Sequence, residues 1–189
     1  MSLQSWMETL HVGTTDGPTL TAAARASCIP TASRVVTFAP GFFIPGRAIK
    51  IELGGRISCV VTTPGTARFD VCLGAAGTTI VYDTGALNLN TTAQTTVPWS
   101  LELELHCRAI GTSTSTTFFP HKARFQSEAG VGSAADTAGG NTSLLAPTGT
   151  PAVGAGTDST VTHILDVFFT QTVATGSLTV HTFKVASLN

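Results

Sequence analysis

The sequence predicts an all-β protein: an antiparallel β-sandwich of jelly-roll type, with an N-terminal arm or short helix and a long Gly/Ala/Thr-rich loop. Two observations carry that expectation. Apolar residues recur at every second position in successive runs, the spacing that puts alternate side chains on opposite faces of a strand. Gly and Pro punctuate those runs at short intervals, and no long helical pattern occurs. About nine short strands result, which suits a sandwich or closed barrel. The division expected is an arm over residues 1–33 and one sandwich domain over 34–189, with the long loop at 128–160.

Along the arm, Leu3, Trp6, Met7 and Leu10 fall at i, i+3, i+4 and i+7. That spacing predicts one face of a short helix, or an ordered arm. Two or three turns do not hold a helix alone in water, so this face needs the chain's own sheet or a neighbouring subunit to dock on. Thr19 to Ile29 is rich in Ala and extends helically until Pro30 stops it, and strands begin from Arg34 to Phe38.

In the body, Ile49, Ile51 and Leu53 alternate with Lys50 and Glu52, and Ile57, Cys59 and Val61 with Arg56 and Ser58. Gly54-Gly55 between them predicts a two-residue hairpin loop. Pro64-Gly65 gives the next turn, and Phe69, Val71 and Leu73 oppose Arg68 and Asp70, which completes a three-stranded meander. Thr79 to Asp83 reads as a strand. The clearest one follows Pro98, where Trp99, Leu101, Leu103, Leu105 and Cys107 alternate with Ser100, Glu102, Glu104, His106 and Arg108. Alternation that clean belongs to an antiparallel strand with one face on a core and one in water.

Beyond Gly111-Thr112-Ser113 a run through Phe118, Phe119 and Phe125 contains Pro120, which implies an edge, a bulge or a break. Two last strands, near Val161–Thr170 and Ser177–Val185, meet at a Thr175-Gly176 turn. Before them, Glu128 to Ser159 is mostly Gly, Ala, Thr and Pro, with Leu144 and Leu145 as its apolar side chains. A loop that long usually serves function or flexibility.

Only 11% of residues are charged, against about a quarter in typical soluble domains, and the net charge is -1. No basic patch points to nucleic acid, and no apolar stretch approaches the roughly 20 residues of a membrane helix. The weakly charged surface tolerates close packing of identical copies. The N-terminus has no basic region followed by an apolar core, so cytoplasmic synthesis and assembly are expected and the sequons at Asn90 and Asn141 stay unused. Cys28, Cys59, Cys72 and Cys107 form no C-x-x-C pair and read as reduced, buried small side chains.

Chemistry is sparse. Gly74-Ala75-Ala76-Gly77 lacks the lysine of a phosphate-binding loop. Glu102, Glu104, His106 and Arg108 read as the wet face of one strand rather than a metal or acid/base site. His163 and His181, on the two last strands, would meet across a hairpin near Asp166, but no third and fourth ligand has a metal-site spacing. No G-x-S-x-G elbow occurs. No cofactor is expected, and no enzyme.

From Ala48 to Arg124 the order of short segments resembles a family of structural proteins of tailed bacteriophages. Gly55-Arg56-Ile57-Ser58, Thr62-Thr63-Pro64-Gly65-Thr66, Asp83-Thr84-Gly85-Ala86, Leu89-Asn90-Thr91, Val97-Pro98-Trp99 and Cys107-Arg108-Ala109-Ile110-Gly111 carry it. Val180-His181-Thr182-Phe183 and Leu188-Asn189 continue it at the C-terminus. The resemblance implies a virion component on the head surface: a capsid decoration or cement protein that binds the major capsid protein and copies of itself, as trimer or dimer. Assembly contacts are then expected at Leu3, Trp6, Met7, Leu10, Leu144 and Leu145. The alternative is a glycan- or receptor-binding module of the tail or capsid surface, with Tyr82 or Phe118 stacking on a sugar ring.

Overall fold

A computed structural model describes residues 6–59, 63–132, 144–145, 156–174 and 176–188. In chain order the strands are β1 (Met7–Val12), β2 (Arg25–Ser27), β3 (Thr37–Phe38), β4 (Ala48–Cys59), β5 (Thr66–Leu73), β6 (Thr79–Asp83) and β7 (Leu87–Leu89). They continue as β8 (Gln94–Ala109), β9 (Thr117–Ser127), β10 (Gly130–Gly132), β11 (Leu144–Leu145), β12 (His163–Ile164), β13 (Asp166–Gln171) and β14 (Ser177–Leu188).

Every pairing between these strands is antiparallel. The first sheet runs β1-β14-β4-β8-β9-β11 and the second β10-β7-β5-β13-β2, with β6 also on β5 and a small β12-β3 pair apart. Strand β4 is central to the first sheet, paired along its length with β14 on one side and β8 on the other. Its Ile49, Ile51, Leu53 and Ile57 are buried, as are Trp99, Leu101, Leu103 and Leu105 of β8. The alternation in the sequence is thus the inward face of this sheet.

Aromatic rings join the two sheets. Phe69 of the second sheet lies 5.1 Å from Trp99 and 5.7 Å from Phe125 of the first, and 5.2 Å from Phe169 beside it. A further cluster groups Phe38, Phe42 and Phe43 with Phe118 and His163. Rings at these separations add about 0.5–1.5 kcal/mol per pair to the area they bury.

Several local expectations hold. Thr79–Asp83 is a strand. Gly65 turns the chain at φ 73°, and β9 bulges beside Pro120, where the register steps from Lys122 to Pro120. Trp99 is core, and all four cysteines are free and buried. Burial pushes the Cys28 thiol well above its ordinary value and that of Cys72 to about 11.

Others are overturned, and each for a reason of packing. Gly54-Gly55 makes no hairpin: β4 passes straight through it, and neither glycine has a positive φ. A Cβ on Gly55 would lie 2.0 Å from the Thr179 carbonyl oxygen, so the pair is a close approach of backbones, not a turn. It faces a bulge where β14 inserts His181 between Val180, opposite Gly55, and Thr182, opposite Gly54. Nor is there a meander, because β5 crosses to the second sheet.

Of the two readings of the N-terminus, short helix or ordered arm, the helix is not formed among the described residues: β1 pairs with β14 of the chain's own sheet. A lone helical turn has no partner for its backbone ends, whereas the edge of β14 offers a ladder of hydrogen bonds. The Ala-rich 19–29 segment is likewise extended: Leu20 bridges Leu178 and β2 pairs with β13. Thr31–Val35 is a 3-10 turn where a strand was expected from Arg34. Within the long loop, β10 pairs with β7, β11 with β9, and Thr157 with Thr116; residues 133–143 and 146–155 lie outside the described residues.

Gly55→Ala should lower stability by about 2 kcal/mol or more, since backbone must move to admit the methyl group. Gly54→Ala should cost less, because there the first atom met is the Thr182 Oγ1 at 2.9 Å, on a side chain that can rotate. Urea unfolding of the two variants checks the order.

Candidate functional site

Strand β1 forms one end of the first sheet, and among the described residues nothing pairs with its outer edge. Trp6 is 65% exposed, Met7 54% and Val12 55%, while Leu10 packs against the core. Three of the six exposed large apolar side chains among the described residues therefore sit within seven positions of one strand end. An unpaired edge carrying apolar side chains is a surface for adding another strand. Of the contact residues expected from sequence, Trp6 and Met7 lie on it, Leu10 is turned inward, and Leu3 falls outside the described residues. Leu144 and Leu145 pair with Phe125 and Arg124 at the opposite end of the same sheet, so the two groups are not brought together.

The outer face of the second sheet holds a network that sequence spacing did not reveal. Asp70, on the face opposite Phe69 and Val71 as the alternation predicts, is nevertheless buried: Arg25 Nε donates to its Oδ2 at 2.8 Å, and Arg68 Nε lies 3.3 Å from its Oδ1. Arg68 also pairs with Asp83, and the Arg25 guanidinium sits 3.7 Å above the centre of the Phe168 ring. Beside them Ser27 Oγ donates to Asp166 Oδ1 at 2.6 Å, and Arg34 Nε is 3.7 Å from Oδ2. Burial holds the Asp166 carboxyl above its ordinary pKa, against the hydrogen bond from Ser27 and the charge of Arg34. Each member pairs with another by charge, so the set fastens β2 and the 3-10 turn to β13 and β5, although Arg34 Nε and Asp70 Oδ1 are buried without a well-formed hydrogen bond. Only the recurrence Arg68-x-Asp70-x-Cys72 hinted at it; Arg25 and Arg34 come from distant sequence.

Across the outer face of the first sheet Lys184, Glu52, Glu102 and Arg124 are opposite one another on four strands. Lys50 donates to Glu52 at 2.5 Å, which holds that carboxyl below its ordinary value, and Lys184 is 3.5 Å away. Glu102, named from sequence as solvated, pairs loosely with Lys122 at 4.0 Å. Farther along the same sheet, the missing side chains of Gly54 and Gly55 leave an open groove of about 700 Å³, bounded by Arg56, Thr96, Pro98 and His181. His181 Nδ1 meets Asp16 Oδ1 at 2.8 Å there, and Thr96 is held at φ 53°.

His163 and His181 do not meet: β12 pairs with β3, while β14 lies in the first sheet. His163 is buried against Phe43, with no well-formed hydrogen bond on either ring nitrogen. Among the described residues no three His, Cys, Asp or Glu side chains are grouped to hold a metal ion. Tyr82 and Phe118 are 4% and 0% exposed, so neither offers a ring face to a sugar; each faces the core because its strand register puts it there.

Asp70→Asn should lower stability by about 1–3 kcal/mol, the lost charge-assisted hydrogen bonds discounted for the half-exposed arginines. Thermal unfolding beside Asp83→Asn, whose carboxylate is more exposed, checks it. Burial also pushes the His163 imidazole below its ordinary value, against the nearby Asp158. The unfolded chain takes up that proton near pH 6.5 and the folded chain only at lower pH. Its contribution to stability is thus complete above about pH 6.5 and lost as pH falls from there through the folded pKa. His163→Phe should remove that part of the acid slope in urea midpoints measured from neutral to acid pH.

Compared with protein families, curated proteins and solved structures, the chain shows no match.

Proposed function

We propose that this chain is a structural component of a tailed-phage particle, a decoration or cement protein of the head, which acts by binding and not by catalysis. The observation that carries the proposal is the β1 edge, where Trp6, Met7 and Val12 are exposed on a strand whose outer side is open. The weak charge of the surface suits close packing of many copies, and the segments from Ala48 to Arg124 supply the phage resemblance. The sandwich is read as jelly-roll-like: β4 and β5 follow one another across the two sheets, and their partners β14 and β13 cross back the same way. A protein that binds only the assembled shell stabilises that shell by mass action, about 2.7 kcal/mol per site at a hundredfold excess over Kd.

Antibody-labelled electron microscopy of intact particles should place the protein in a regular array on heads. Trp6→Ser with Met7→Ser should lower its rebinding to stripped particles about tenfold or more while leaving its unfolding temperature unchanged. Absence from purified particles would overturn the proposal, and a glycan array should show no preferred sugar.

A further inference from the structure

Strand β1 is self-complementary about its own centre. Its register on β14 runs Met7 to Leu188, Glu8 to Ser187 and Thr9 to Ala186, then His11 to Val185 and Val12 to Lys184. Leu10 is the extra residue of a bulge, so Thr9 and Leu10 together occupy one position opposite the neighbour. The strand therefore presents five positions to an incoming partner, with the bulge in the middle. Parity follows from the partners: residues opposite 188, 186 and 184 share one face, and those opposite 187 and 185 share the other. Met7 and Val12 thus lie on one face, Glu8 and His11 on the opposite one.

We infer that β1 pairs antiparallel with β1 of a second copy, about a twofold axis through the Thr9–Leu10 bulge, joining the two first sheets into one continuous sheet. Rotation about that axis sets Met7 opposite Val12 of the second copy and Glu8 opposite its His11, twice over by symmetry. Both pairs match. Met7 and Val12 are among the most exposed apolar side chains among the described residues, and each would cover the other. A carboxylate meets an imidazole instead of its like, on the face where the His11 ring lies 5.7 Å from Phe183. Without the bulge, the same residues would fall on opposite faces and the pairing would fail.

The inference rests on the same edge as the assembly reading, but names the partner as a second copy. A six-residue edge buries less than the roughly 1,000 Å² of a stable interface, so a dimer of micromolar strength is expected, reinforced when copies are held on a surface.

Sedimentation of the purified full chain at about 100 µM should show mostly dimer if Kd is near 10 µM. Met7→Lys with Val12→Lys, which places cations at the edge without touching the core, should weaken it at least tenfold. Glu8→Lys should weaken it too, and adding His11→Glu in the same chain should restore it, which only the Glu8–His11 register explains. Mixing Met7→Cys with Val12→Cys chains under mild oxidant should give a crosslinked heterodimer faster than either alone, the native cysteines being buried. A monomer at that concentration, a dimer that survives the lysines, or a failed restoration would each overturn the inference. Virion location would still stand with a monomer, and a dimer absent from particles would sink only the functional proposal.

Discussion

The contact of Phe69 with Trp99 is what the rest of the structure depends on. It is the place where the two sheets touch through large rings, and Phe125 and Phe169 complete the group from either side. Two sheets bury their apolar faces only against each other, so the interdigitation of these rings sets their spacing and slide. Trp99 lies opposite Gly55 on β4, and its Nε1 reaches the Thr179 carbonyl at 3.4 Å. Beside the bulky indole, β4 carries no side chain at all, and β14 closes onto it and bulges at His181. The groove bounded by Arg56, Thr96, Pro98 and His181 lies where Gly54 and Gly55 stand beside Trp99.

Few charges are available, and the fold spends them on its outside faces. Three of the ten cations, Arg25, Arg34 and Arg68, and three of the eleven acidic groups, Asp70, Asp83 and Asp166, lie together on the second sheet. They attach β2 and the 3-10 turn to the second sheet, because both are too short to hold by backbone pairing alone. Among the described residues, three of the six exposed large apolar side chains lie at the open β1 edge. That contrast between paired charge and an unpaired strand is the physical ground for reading the molecule as something that associates.

Much of this was legible beforehand, and the rest was not for identifiable reasons. Alternation in Trp99–Arg108 determined strand type, inward face and core membership of that segment, because a period of two has one physical meaning. The Pro64-Gly65 turn and the Pro120 irregularity were readable because proline and glycine restrict the backbone locally. Trp6 and Met7 stand out in the sequence by their place in a helix-like spacing, and the structure exposes both at the start of a strand. Helical spacing and strand pairing compete over so short a run, and a neighbouring edge decided it. Gly54-Gly55 satisfies the local rule for a hairpin equally well as a close approach of strands, and only the position of the Thr179 carbonyl distinguishes them.

The sequence by itself thus determined the class of the protein: antiparallel strands, their faces, the buried cysteines, and a surface poor in charge. Tertiary structure alone decided which strands share a sheet, that Tyr82 and Phe118 are buried, that Asp70 and Asp166 meet arginines from distant segments, and that β1 is an edge. Local patterns report what a residue's neighbours in sequence demand. Partners tens of residues away are chosen by the burial of both sheets at once, and no spacing in the sequence encodes that choice.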